Sequence, residues 1–469
     1  MNIIFITSEA YPFIKTGGLG DVCGALPLAL EKLGLNVSIF LPKYGSIKFQ
    51  DSPEIVDENC SRVKIGKNIS VYLIEHADFF ASRSGVYGEN DRDYPDNLER
   101  FQYFCSETLK VMDRLNLPVD ILHCHDWQSA LIPVYWKELF RNHPRAKQIK
   151  TVMTIHNLAF QGVFPSEKYV TLGLDRHLFT VDGFEFYNQV NLLKAGLLWS
   201  DQITTVSPRY AWEIQTKEFG CGLQDILQKH GESIRGILNG LDYDWWNPRT
   251  DAFLDENYFG NIRKFKSQNK MHLQKLLHLN VSSETPLVGF VARLSHQKGL
   301  DLILDTIDDL MKKDCQLVIQ GTGSPDYHRR LMEKAAQYSE NLSVCLRFDE
   351  SLAHQIYAGS DFFIMPSTFE PCGLGQMIAL RYGSLPIVFK TGGLADTVVS
   401  SRDNADLSTG FVFDQYRKID FLVAVEEAIA VYKKTHELDA MIERAMSTDF
   451  SWTQSAQEYK RMYEWLLLA

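Results

Sequence analysis

The pentapeptide Lys-Thr-Gly-Gly-Leu occurs twice in the chain, as Lys15-Thr16-Gly17-Gly18-Leu19 and as Lys390-Thr391-Gly392-Gly393-Leu394. Each copy follows an apolar, strand-like run and precedes helical periodicity, so strand-to-helix turns of one kind stand at opposite ends of the sequence. A Gly-Gly pair lets backbone approach closely, and the start of the next helix offers unpaired N–H groups and a positive dipole end to an anion. Either turn alone reads as an ordinary glycine turn. Together they predict two nucleotide-type sheets that each give a half-site to one ligand.

The strand pattern carries the same duplication. Short buried runs at residues 2–7, 36–41, 71–75, 121–125, 151–156 and 202–206 alternate with helical stretches. A second series follows at 287–292, 316–319, 342–348, 362–365 and 385–389. A βαβ rhythm that stops and restarts predicts an α/β chain of two doubly wound, Rossmann-like parallel sheets. Residues 242–258, rich in Trp, Asn, Pro and Asp, read as the connection, which puts the domains at 1–245 and 246–448. The segment 449–469 opens with a capping-box pattern at Ser451 and places Trp452, Ala456, Tyr459, Tyr463 and Leu466 on one face, a terminal helix built to dock.

Composition removes several classes of function. A net charge of −11 disfavours nucleic acid or an anionic membrane as the main partner. The eight cysteines show no C-x-x-C spacing and sit mostly in apolar runs, the pattern of reduced thiols in a cytoplasmic protein. Neither a signal-type segment nor a long apolar run is present, so no membrane span is expected.

Candidate chemistry collects at strand ends. The first glycine turn fails the dinucleotide fingerprint, because Cys23 stands where the third glycine belongs. His123-Cys124-His125-Asp126-Trp127 ends one strand and Ile155-His156-Asn157 another, at the carboxyl edge where open α/β sheets bind ligands. His123 and His125 are two apart in a strand with His156 the only companion, so no metal site is expected. The D-x-D pairs Asp91/Asp93 and Asp242/Asp244 lie in polar segments and read as turn formers. Arg293 and Lys298 share one loop before a helix, where two cations can neutralise a diphosphate. Glu370 follows the strand at 362–365, with Pro371-Cys372-Gly373-Leu374-Gly375 leading into a helix.

In this order these segments, with Gly236-Ile237-Leu238-Asn239-Gly240 and Thr391-Gly392-Gly393-Leu394-Ala395-Asp396, resemble the bacterial glycogen synthase and plant starch synthase family over essentially the whole chain. The resemblance implies the GT-B fold, with two Rossmann-like domains facing across a cleft and the terminal helix crossing back to the N-terminal domain. It implies transfer of glucose from ADP-glucose to the non-reducing end of an α-1,4-glucan (maltooligosaccharide, glycogen or starch) with retained configuration, without metal or cofactor.

By the same resemblance, Arg293 and Lys298 are expected on the donor diphosphate, helped by Lys15, Gly18 and the turn Thr391, Gly392, Gly393 and Leu394. Glu370 is expected to hold the transferred sugar with the backbone of Cys372, Gly373 and Leu374. His156, Asp126 and Asp21 would serve the reaction centre, Asn239 the donor, and Tyr87 the acceptor alongside Asp126. Phe348 stands where a tyrosine that stacks on adenine is frequent, and Gly375 where many relatives carry a hydroxyl. A cytoplasmic location is expected, or a plastid one if a transit peptide has been removed. Two alternatives stay open: a glucan-binding scaffold of the same fold without catalysis, and an enzyme using another sugar nucleotide such as UDP-glucose. Oligomeric state is not legible.

Overall fold

The computed structural model describes residues 1–49, 51–89 and 92–468. The chain divides into two units, Met1–Gly240 with Trp452–Ala469, and Leu241–Ser451. Asp91 of the first D-x-D pair lies outside the described residues, while Asp93 sits in a two-residue strand, Arg92–Asp93, rather than in a turn.

In the first unit the apolar runs become a nine-stranded sheet. Its strands run in the order Arg235–Gly236, Gln202–Thr205, Lys150–Ile155, Ile121–His125, Asn2–Ile6, Asn36–Pro42, Ile69–Ile74, Cys60–Ile65 and Glu54–Asp57. The first seven are parallel; the last two turn antiparallel. Strands such as Ile121–His125, buried at every position, suit a parallel sheet covered on both faces. The antiparallel pair escaped sequence reading because its outer strand, Glu54–Asp57, is half-exposed and carries no apolar run.

The second unit holds six parallel strands in the order Leu342–Cys345, Gln316–Gln320, Leu287–Val291, Phe362–Met365, Leu385–Phe389 and Phe411–Phe413. Numbered along the chain this is 3-2-1-4-5-6, the doubly wound order, and the parallel strands of the first unit follow the same rule. Strand order reverses beside Asn2–Ile6 in one unit and beside Leu287–Val291 in the other. Ligands of such sheets bind outside the carboxyl ends at these switch points. The core of this unit gathers Leu300, Ile303, Ile307, Leu317, Ile319, Phe362, Ile387 and Phe421, all buried.

Residues 242–258 belong to the second unit and are fixed there rather than free. Asp251 accepts hydrogen bonds from Tyr382 at 2.5 Å and lies 2.6 Å from His354 Nδ1. Trp246 stacks on His354 at 4.1 Å, and Asp242 Oδ1 accepts the N–H of Asp244 at 2.9 Å, so that aspartate does form a turn.

The terminal helix, Trp452–Leu468, buries Trp452, Ala456, Tyr459, Met462, Tyr463 and Leu466 and packs against the first helix, Gly18–Lys32. Its polar anchors reach under the sheet. Tyr463 OH lies 2.7 Å from His123 Nδ1, whose Nε2 lies 2.6 Å from Thr154 Oγ1, and Ser455 Oγ donates to Leu238 O at 2.6 Å. Tyr463→Phe would leave a buried imidazole nitrogen unpaired, at a cost of about 1–3 kcal/mol. Denaturant unfolding should show a lower midpoint at unchanged slope; an unshifted midpoint would mean the hydroxyl anchors nothing.

Candidate active site

At the switch point of the first unit, the chain leaves strand Asn2–Ile6 through Thr7, Ser8 and Glu9 and enters the helix at Gly18. Lys15 Nζ pairs with Asp21 Oδ1 at 2.6 Å on a largely open surface, where such a pair contributes little to stability. A Cβ placed on Gly17 or Gly18 would meet nothing within 4 Å, so this turn keeps its backbone accessible. The turn is braced from below by Glu9, a buried carboxylate that accepts from the Thr16 N–H, from Thr16 Oγ1 at 2.7 Å and from Tyr87 OH at 2.5 Å. Sequence reasoning passed over Glu9, although an acid three residues beyond a buried strand was the available signal.

The second glycine pair does different work. A Cβ on Gly392, whose φ is +42°, would come within 1.9 Å of Glu370 O, and one on Gly393 within 2.0 Å of Cys372 O. Gly393 N donates to Glu370 O at 3.1 Å. These glycines exist so that the Glu370-Pro371-Cys372 backbone can lie against them. Lys390, the counterpart of Lys15, pairs with Asp414 at 3.0 Å on the surface. Leu394 is a core side chain, and its N–H is taken by Thr391 O at 3.1 Å.

Beyond Ile121–His125, Asp126 adopts φ +56° and turns its Oδ1 back to accept the His156 N–H at 2.7 Å. Burial raises its carboxyl from the ordinary 3.8 to about 7, against the pull of the His156 and Asn157 N–H groups. His125 Nδ1 and His156 Nε2 lie 3.0 Å apart, and His125 Nε2 has no partner among the described residues. Burial lowers His156 to about 3 and His125 well below its ordinary value, so both rings are neutral near pH 7. Asn239 Oδ1 is also buried without a partner among the described residues. Tyr87 is half-buried, and burial followed by the Glu9 charge raises its phenol well above the ordinary value.

In the second unit, Lys298 Nζ meets Glu370 Oε2 at 2.6 Å, both side chains largely buried. Their loops are stitched by Thr368 N donating to Gln297 O at 2.9 Å, and Gly299, at φ +75°, brings its Cα against Pro366 O, where a Cβ would lie at 2.0 Å. Arg293 is exposed and makes no ion pair among the described residues. Gly373 takes φ +73°, with Gln376 Nε2 donating to Cys372 O and Gly373 O at 3.0 Å each, so Cys372, Gly373 and Leu374 form a fixed turn ahead of the helix Gly375–Arg381. Phe348 is 83% exposed beyond the strand Leu342–Cys345. Gly375 lies 3.1 Å, at its Cβ position, from Met365 Sδ. Among the described residues no group of three or more His, Cys, Asp or Glu is placed to hold a metal ion, and no helix is long and apolar enough to cross a membrane.

Within each unit, then, the expected residues converge: Lys15, Gly18, Asp21 and Tyr87 around the first turn, Asp126 with His156 on adjacent strand ends, and Lys298 with Glu370 and the 372–374 turn at the second switch point. Two doubly wound sheets thus carry cations, carboxylates and glycine turns at their switch points, where sheets of this kind bind ligands. A family model described as the starch synthase catalytic domain matches residues 2–229, and one described as glycosyl transferases group 1 matches residues 278–445. Glycogen synthase of Geotalea daltonii is 44% identical, across 100% of this chain and 99% of its own. That of Syntrophotalea carbinolica is 43% identical, across 99% and 98%. The catalytic domain of starch synthase IV from Arabidopsis thaliana, solved with ADP and acarbose, superposes with a TM-score of 0.88 at 35% identity, covering 100% of this chain and 99% of that one. The chain belongs to the glycogen and starch synthase family.

Proposed function

We propose that the protein transfers glucose from ADP-glucose to the non-reducing end of an α-1,4-glucan with retention of configuration. The observation that carries the reading is the buried Lys298–Glu370 pair at 2.6 Å. As the donor bond breaks, the diphosphate gains negative charge while the sugar becomes oxocarbenium-like. A fixed ammonium beside a fixed carboxylate matches that charge separation before it develops, with no reorganisation at the moment of reaction. Arg293, exposed, forked and without an ion pair among the described residues, adds a second cation for the diphosphate.

In this reading the backbone of Cys372, Gly373 and Leu374 holds sugar hydroxyls, Phe348 stacks on the adenine, and Asn239 offers the donor its buried oxygen, which has no partner among the described residues. Stacking survives Tyr→Phe because the ring remains. Thr391, Gly392 and Gly393 serve the donor by setting the Glu370 backbone, and Lys15, Gly18 and Asp21 serve it from the first unit. His156, neutral, positions the sugar, and Asp126 with Tyr87 serves the acceptor. The Arabidopsis complex with ADP supports an adenine nucleotide as leaving group. A non-catalytic scaffold would be expected to lose Lys15, Arg293, Lys298 or Glu370, and all four are present.

The test is incorporation of labelled glucose into glycogen from ADP-glucose and UDP-glucose side by side, with the first expected to dominate. Preference for UDP-glucose would overturn the donor assignment, and no incorporation from either would favour the scaffold.

A pH effect follows from Asp126. Its carboxyl is raised in the folded state, so the fold is penalised for the charged form above about pH 7, and the penalty is relieved as pH falls toward 3.8. Stability should therefore decline as pH rises between those values, and Asp126→Asn should flatten that part of the profile. If the carboxylate serves the acceptor, kcat/KM should fall on the acid side with a midpoint near 7. Pairing pH-dependent unfolding with pH–rate curves of both proteins checks this; identical stability profiles would contradict the shift.

A further inference from the structure

Glu9 is bonded to more groups than a turn brace needs. It is 2% exposed and lies just beyond the first strand. Oε2 accepts the N–H of Thr16 and, at 3.3 Å, that of Gly17; Oε1 accepts Thr16 Oγ1 at 2.7 Å and Tyr87 OH at 2.5 Å. Tyr87 has one proton and gives it to Glu9, so Ser8 Oγ, 2.8 Å away, must donate to Tyr87. One carboxylate thus joins the Lys15 turn to a tyrosine far along the chain. Its other three donors all come from Thr16 and Gly17, so any shift of the phenol is transmitted to the backbone beside Lys15 and Gly18.

We propose that Glu9 is a positioning residue that couples the acceptor-side Tyr87 to the donor-side Lys15 turn, so that a glucan at Tyr87 tightens binding of the donor nucleotide. This rests on the roles given above to Tyr87 and Lys15. A sugar docked on the half-buried ring fixes the phenol, the phenol fixes Oε1, and the carboxylate holds the Thr16 and Gly17 N–H groups in one geometry. By linkage, nucleotide tightens glucan binding by the same factor.

Glu9→Gln separates coupling from bracing. The amide can turn its oxygen to the two backbone N–H groups and its NH₂ to the hydroxyls, which keeps the turn and reverses the bond to Tyr87. Glu9→Ala leaves those N–H groups buried and unpaired.

The experiment is calorimetric titration of ADP into the full-length protein with and without maltoheptaose. In the native protein, maltoheptaose should tighten ADP by roughly fivefold or more. Glu9→Gln should bind ADP alone within about threefold of native but lose the enhancement, while Glu9→Ala should weaken ADP at least about tenfold. Enhancement that persists in Glu9→Gln, or is missing from the native protein, overturns the coupling even if melting temperatures shift. Lys15→Ala is the control for the underlying reading: unchanged ADP affinity there removes the turn from the donor site, whereas weakened affinity with intact coupling in Glu9→Gln removes Glu9 alone.

Discussion

Replacing Lys298 with alanine is expected to lower kcat with ADP-glucose by about 10²–10³, because it removes a preorganised charge from the departing diphosphate. The structure sharpens the expectation. Lys298 is also the partner of Glu370 at 2.6 Å, and both are mostly shielded from water, so the substitution strands a carboxylate. Breaking a buried pair on one side costs about 3–5 kcal/mol, and the partial exposure here argues for the lower end. Turnover should therefore be referred to folded protein, from the unfolding curve of the same sample. Lys298→Arg keeps the charge but replaces a point ammonium with a wider planar fork, and should recover part of the rate and most of the stability. Near-native turnover in Lys298→Ala would sink the assignment of this lysine to the leaving group.

The fold was legible because both sheets are built from strands buried on both faces, and such runs announce themselves without alternation. Strands with exposed faces or with two or three residues, Glu54–Asp57, Arg235–Gly236 and Phe411–Phe413, carried no such signal. The positions of candidate residues were legible where a motif placed them just beyond a strand, as with Asp126, Lys298 and Glu370. What sequence could not supply was the identity of the surface each glycine meets. The two Lys-Thr-Gly-Gly-Leu copies read alike, yet Gly17 and Gly18 face open space while Gly392 and Gly393 are pressed on the backbone of residues 370–372. Nor could it show that Glu9 reaches Tyr87, because that contact depends on which loops meet above the switch point. His123 shows the converse case: it stands in the same strand-end cluster as Asp126, yet its two ring nitrogens lie against Tyr463 and Thr154, as a structural histidine's do.

Glu370→Gln is expected to slow both transfer and hydrolysis of ADP-glucose by about 10²–10³ while leaving donor affinity within a few-fold, since only the charge facing the developing oxocarbenium is lost. The amide can still accept from Lys298, so the turn of residues 372–374 should hold and the variant should fold. The native enzyme should yield no glucosyl-enzyme with a fluorinated donor. A retaining glycosidase places a second carboxylate about 5–5.5 Å from its nucleophile to activate water for the second displacement. In the second unit Glu370 is instead paired with a cation, whose ammonium occupies Oε2. A carboxylate held by an ammonium is a weakened nucleophile and a well-placed counter-charge, which favours departure of the diphosphate and entry of the acceptor on the same face, the leaving phosphate taking the acceptor proton. Mass spectrometry that found glucose on the Glu370 peptide would overturn this mechanism while leaving the fold and the substrate class intact.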